Sequence, residues 1–438
     1  MKERSRGTPL IDMLKGYQPC RGRFHMPGHK ASPDFCRTFP GAAWDITELP
    51  FSDDLLDEKG CIAEAEELAA AAFCGEFCLF LTGGTTLAVQ IMVGMAARRG
   101  PLLLPRASHR SAFAACELFG AEPVVLEAEE CTAEGVQKKA GKAAALLVTA
   151  PDYEGRMGEA PAMLRAAREC GLLALCDQAH GAHLGFCDRL PAGAAGIADL
   201  WAVSAHKTLP ALNQASLLLG RAAWAEEARE FRKLLHTTSP SYPILASLDY
   251  ARDFMEREGE IRLAALLRWR EREQPFWPLR PEQNEDFTKL RFDLTPYGLE
   301  ENEVRSYFSQ AGLTPEILSG EEVLFLLSVC DGEEDLNRLS AALRGFGPFR
   351  KVREALPPPS GRPEKAFAFL DRDFGREFVP LADCEGRAAA CNVGLYPPGR
   401  PVLLRGERFD RPRVEYLLRN AGRLFGGTPE AVPVRRED

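Results

Sequence analysis

No apolar run in the sequence is long enough to cross a bilayer. Segments such as VLFLLSV at 323–329 stop far short of the roughly 20 residues a membrane helix needs. The opening MKERSRGTPLIDMLK has no apolar core of a secretory signal, so a cytoplasmic protein is expected. Basic runs are missing too, and a net charge of −9 argues against nucleic acid or an anionic membrane as a partner. No CxxC occurs among the 13 cysteines, whose tightest pair is Cys74 and Cys78. That spacing excludes zinc ribbons and disulfide frameworks, and implies reduced, mostly buried thiols. Internal repeats and low-complexity tracts are lacking. So are GxxxxGK[ST], GxGxxG and HExxH, the signatures of triphosphate loops, dinucleotide folds and zinc proteases. Histidine is scarce: seven residues, none after His236.

What is present describes a globular chain. The 438 residues are 45% apolar and 27% charged, enough for two or three domains with a large core. An arm-like segment occupies 1–60. CIAEAEELAAAAFCG (61–75) has Ile62, Ala65, Leu68, Ala69 and Ala72 at helical spacing, and Gly75 predicts the stop. From about 79 to 220 short β-type runs alternate with helical stretches: CLFL, PLLLP, EPVVLEA, AALLVTA, LLALCD, LWAVSA and ASLLLG. Such alternation predicts an α/β fold with a doubly wound, mainly parallel sheet, in a large domain spanning 61–255. REGEIRLAALLRWRERE reads as a long helix opening a smaller α/β domain at 256–355, with KLRFDL and EVLFLLSV as strands. LPPPSGRPE (356–364) reads as a linker, and 365–438 as a C-terminal domain with a YPPGRP turn.

In doubly wound sheets ligands bind beyond the carboxyl ends of the strands. AALLVTA runs into PDYEG, LLALCD into DQAHGAH, and LWAVSA into HK. After CLFL comes TGGTT, opening an apolar helix. Its small residues and hydroxyls suit an anion, though the same residues could simply cap the helix. Alone, Asp177 reads as a cap or metal ligand, and Lys207 as uninformative. Together they place a carboxylate at one strand end, an amine at another and an anion cradle nearby. Pyridoxal phosphate requires that set: a lysine for a Schiff base with its aldehyde, and an aspartate to keep its pyridine nitrogen protonated. No carboxylate-rich set accompanies His180 and His183, so no metal is expected.

The ordered motifs TPLIDML, FHMPGHK, DDLLDEKGCIAEAEELAA, GGTT, PRASHRS, PDYEG, DQAHGAHL, SAHKTLPALNQA, SPSYPILASLD, DFTKL and YPPGRP resemble the bacterial Orn/Lys/Arg decarboxylases nearly end to end. The resemblance implies the fold-type-I pyridoxal 5'-phosphate fold of the aspartate aminotransferase superfamily. It also implies decarboxylation of arginine, lysine or ornithine, and a homodimer or higher homo-oligomer. By position, Lys207 looks like the Schiff-base lysine and Asp177 like the pyridinium partner. His109 matches the histidine that stacks on the ring, and His180 one near the ring edge and imine. Gly84, Thr85, Thr86, Ser204 and His206 fall at the phosphate. Because the sequence begins at the arm, it resembles the short subgroup.

Three positions depart from the family pattern. Gln178 stands for the glutamate of DEAHGAH, Arg400 for the isoleucine of YPPGIP, and Cys391 for a glutamate five residues before the YPPG tyrosine. The last is where the resemblance implies a hold on the cationic end of the substrate. The leading expectation is therefore a basic-amino-acid decarboxylase. Transamination or another lyase reaction on the same fold is one alternative, and a weakly active cofactor-binding paralogue another.

Overall fold

The computed structural model describes residues 7–17, 23–352 and 359–436. The linker expected at 356–364 therefore lies partly outside the described residues. All seven sequence-derived strands form: β1 (Phe77–Leu81), β2 (Leu102–Pro105), β3 (Pro123–Leu126), β4 (Ala145–Thr149), β5 (Leu173–Asp177), β6 (Leu200–Ser204) and β7 (Ser216–Gly220). They make one sheet in the order β1-β7-β6-β5-β4-β2-β3. β1, β5, β6 and β7 are buried along their whole length, which is why they read as continuous apolar runs without alternation. β2 pairs parallel with β3 and β4, whereas β7 runs antiparallel to both β1 and β6. The link from β6 to β7, residues 205–215, is too short for the crossover that a parallel return needs.

The helix expected over 61–75 ends earlier, at Ala72. Cys74, not Gly75, takes the left-handed position (φ 59), while the Gly75 amide reaches back to Ala70 O at 2.8 Å. Gly75 answers to close approach instead, since a Cβ there would lie 2.9 Å from Phe77 O. The described cysteines are free thiols, but they are less uniformly buried than the sequence suggested: Cys74, Cys170 and Cys330 are exposed.

The chain divides into two compact units. The first comprises Met1–Ile91, Ala150–Gly158 and Cys176–Arg353. Besides β1, β6 and β7 it holds a three-stranded sheet of β8 (Lys289–Asp293), β9 (Ile317–Leu318) and β10 (Glu322–Leu326), in the order β8-β10-β9. Helices Glu301–Gln310 and Glu333–Gly345 accompany that sheet, and Glu260–Glu273 is the long helix read from the sequence. The second unit comprises Met92–Thr149, Glu159–Leu175 and Glu354–Asp438. Its C-terminal part closes on a core of Leu381, Ala389, Val393, Leu403, Leu417 and Val432. Within this unit Arg106 grips Glu127 at 2.6 Å and Glu407 at 2.7 Å, tying that part to the end of β2. Among the described residues no helix is long and apolar enough to cross a membrane.

Candidate active site

The first unit brings together most of the residues singled out in the sequence. β5 ends at Asp177 and β6 at Ser204, followed directly by a short helix, Ala205–Thr208, that carries His206 and Lys207. Backbone bonds fix these ends beside one another: Gln178 N donates to Ala202 O at 2.8 Å, and Ala150 N to Asp177 O at 3.1 Å. Lys207 Nζ lies 2.9 Å from His180 Nε2. Burial lowers the Lys207 ammonium; Asp177 and Glu316 draw it back up, and Lys289 pushes it further down. A depressed lysine is a better nucleophile near neutral pH, because more of it is the free amine.

Asp177 is buried and accepts the Ala179 amide at 3.1 Å. Burial raises its carboxyl, and the charge of Lys207 opposes that. His206 is held by the main chain nine residues on: Nδ1 donates to Ala215 O at 3.0 Å, and burial lowers the ring, so it is neutral with Nε2 as the acceptor nitrogen. Gly84 opens helix Gly84–Ala97 at φ 68, a left-handed conformation that glycine adopts without strain. Thr85 is buried and its hydroxyl bonds that of Ser204, whereas Thr86 is exposed.

His109 belongs to the second unit. It caps helix Arg110–Phe119, with Nδ1 2.8 Å from Ser111 Oγ. The YPPGRP turn presses against it: Arg110 N donates to Gly399 O at 2.8 Å, and a Cβ on Gly399 would lie 2.9 Å from His109 Nε2. That explains the glycine of the turn. Arg400 begins strand Arg400–Leu403, opposite Leu395. Cys391 Sγ faces Gly426 O at 3.1 Å, and burial pushes its thiol up to about 11, so it carries no charge at neutral pH.

Gln178 has a structural task. Its amide nitrogen donates to Gly181 O at 2.9 Å, and its amide oxygen accepts the Ala194 N–H at 2.7 Å. A glutamate could make only the second bond.

Sequence reasoning quoted PDYEG and DFTKL but drew no roles from them. The Tyr153 ring lies 4.5 Å from the His180 ring, and its hydroxyl donates to Glu316 at 2.5 Å. Asp286 pairs with His183 at 3.1 Å. Lys289, wholly buried, has no hydrogen-bond partner for Nζ among the described residues. The signal was available in the motifs, but Tyr153 meets Glu316, and His183 meets Asp286, across more than 100 residues, which spacing cannot reveal.

A lysine, a buried aspartate and a hydroxyl-lined helix start lie at the ends of this sheet, and the fold is that of the fold-type-I class of pyridoxal-phosphate enzymes. Within that class, the signature described as Orn/Lys/Arg decarboxylase, major domain, matches residues 8–267, and the C-terminal domain of the same family matches 349–428. The chain belongs to the Orn/Lys/Arg decarboxylase family. It is 31% identical to an arginine decarboxylase of Bacillus anthracis, over 97% of this chain and 95% of that one. An arginine decarboxylase of Bacillus subtilis is 30% identical, again over 97% and 95%. The fold is shared with the lysine decarboxylase LdcF of Francisella novicida, at a TM-score of 0.78 and 18% identity over 99% of this chain and 81% of that one. A serine palmitoyltransferase of Sphingomonas wittichii matches over 67% of this chain and 78% of that one, at a TM-score of 0.54 and 16% identity.

Proposed function

We propose that the protein decarboxylates a basic amino acid (arginine, lysine or ornithine) to the corresponding amine, using pyridoxal 5'-phosphate held by Lys207. The observation that carries this is the depressed, half-buried Lys207 amine 2.9 Å from His180, within the field of Asp177. The residues fit the cofactor. Asp177 is a buried carboxyl whose burial is opposed by the charge of Lys207, and a protonated pyridine nitrogen would supply a further cation to keep it ionised. Gly84, Thr85, Thr86, Ser204 and His206 would hold the phosphate. When bound, the cofactor supplies an electron sink for the pair left by departing carbon dioxide. Lys207 would hold the cofactor and yield to the incoming amino group; His180, in contact with its Nζ, would move the proton between them.

The proposal extends to a cytoplasmic homodimer or higher homo-oligomer. Phe24, Phe39, Trp44 and Phe51, close together in sequence, are exposed in the single chain, and a second copy would cover them. Sedimentation of the holoprotein would test this, with a monomer as the contrary result.

For the reaction, purified protein loaded with cofactor is given each of the three amino acids, and carbon dioxide and amine are measured. Release of both from at least one is expected. No turnover of any, with cofactor bound, would sink the proposal.

A further inference from the structure

The carboxylates at the end of β5 and in the PDYEG, DFTKL and β9 segments differ in how far they are already engaged. Asp177 is buried and accepts the Ala179 amide. Asp286 pairs with His183 at 3.1 Å and accepts the Thr288 hydroxyl at 2.6 Å. Asp152 accepts the amides of Glu154 and Arg156, and Glu154 faces the Arg156 guanidinium at 3.3 Å. Glu316 is different. It is exposed, and among the described residues no cation pairs with it.

Its place is nevertheless built. Glu316 stands just before β9, and its N–H donates to Leu324 O at 2.9 Å, so the sheet edge fixes its backbone. One carboxylate oxygen, Oε1, accepts the Tyr153 hydroxyl at 2.5 Å. Tyr153 is held in turn by its loop: Asp286 N donates to Gly155 O at 3.0 Å, and Asn284 Nδ2 donates to Glu154 O at 2.7 Å and to Lys289 O at 3.0 Å. From Glu316 a line of contacts runs to the reacting amine. The Tyr153 ring lies 4.5 Å from His180, and His180 lies 2.9 Å from Lys207 Nζ. The charge of Glu316 is felt by both Lys207 and Lys289.

We propose that Glu316, its carboxylate oriented by Tyr153, receives the cationic end of the amino-acid substrate. This rests on the decarboxylase reading above and names the residue that selects its substrate class. The phenol occupies Oε1 and leaves Oε2 for an ammonium or guanidinium, a charge-assisted bond that a neutral side chain cannot make. A substrate bound through its α-amino group at Lys207 would direct an extended side chain out along the Tyr153 ring, toward the open carboxylate.

The test uses full-length holoprotein as wild type, Glu316→Gln and Tyr153→Phe. Lysine, arginine and the neutral norleucine are titrated against the cofactor's visible absorbance, and turnover is followed by carbon dioxide release. Glu316→Gln is expected to weaken lysine and arginine by on the order of 10-fold or more in KM and in spectral Kd, with norleucine within about twofold and kcat changed less than KM. Tyr153→Phe keeps the ring on His180 but releases the carboxylate, and it should shift the same ligands in the same direction by a smaller factor. Unchanged lysine binding in Glu316→Gln, or equal loss for lysine and norleucine, would overturn the proposal. Should the wild type decarboxylate none of these amino acids, the decarboxylase reading falls. The spectral preference for cationic over neutral ligands would still decide the role of Glu316.

Discussion

At the scale of single residues, charge and shape can be separated at Asp177 and Gln178. Asp177→Asn keeps the volume and the bond to the Ala179 amide but removes the only full negative charge at the end of β5. In the proposed mechanism the cofactor's ring nitrogen would then lose its stabilising partner, and the rate should fall on the order of 100-fold or more, the usual loss of an electrostatic contribution in a water-poor site. Cofactor binding should weaken far less, because Lys207 and the hydroxyls of Thr85 and Ser204 remain. A rate within about threefold of wild type, roughly 0.7 kcal/mol on the barrier, would reduce Asp177 to the cap of its turn. Gln178→Glu should behave in the opposite sense. It sets a carboxylate oxygen against Gly181 O, now 2.9 Å from the amide nitrogen, in a buried turn. We expect a stability loss of about 1–3 kcal/mol in urea unfolding, with the per-site rate of the folded fraction little changed. A variant as stable as wild type would show that the turn tolerates the family's acid without the amide.

At the scale of elements, the motif DDLLDEKG shows what a sequence signature can hide. Asp53 sits in the left-handed region (φ 66), and its two oxygens gather five amides. Those of Asp54 and Lys59 bond Oδ1, while those of Gly60, Ile62 and Ala63 bond Oδ2. It thereby closes the loop and satisfies the start of helix Cys61–Ala72. Burial alone would raise its carboxyl, but these bonds outweigh that and lower it. A depressed carboxyl stabilises the fold above the unfolded value, about 3.9, and loses that contribution as the pH falls from there. Asp53→Asn turns an amide nitrogen toward amides and should lower the urea midpoint at pH 7. The gap to wild type should narrow as the pH drops toward 3, because wild type loses the same charge. An equal gap at both pH values would mean that shape, not charge, holds the loop. The strands around this helix were legible because burial on both faces leaves unbroken apolar runs. The direction of β7 was legible only in the length of the 205–215 link, and the early end of the helix not at all, because Cys74 carries a left-handed conformation that composition assigns to glycine.

At the scale of the whole molecule, strand ends singled out Asp177 and Lys207 as candidates, since a parallel sheet puts its chemistry there, and both do lie at strand ends. They could not show that PDYEG meets DFTKL, because that contact depends on how distant segments pack. Lys289 is the consequence with most leverage on the fold. It opens β8 wholly buried, with Nζ lacking a hydrogen-bond partner among the described residues, and Asp286, the larger of its two anionic influences, is already engaged by His183 and Thr288. Burial lowers its ammonium, with Asp286 and Glu316 opposing. The unfolded chain therefore binds more protons than the folded one between that lowered value and about 10.4, and stability rises with pH through this window. Lys289→Met fills the same space without a charge. Replacing a poorly compensated buried charge with an apolar isostere commonly stabilises by about 1–4 kcal/mol, so the variant should melt higher at pH 7 and lose the rise toward alkaline pH. If its decarboxylase rate drops while its melting temperature climbs, the ammonium is kept for its field at Lys207 rather than for the fold. A variant that melts lower than wild type at pH 7 would show instead that the lysine is paired in solution, and would remove it from the electrostatics of the site.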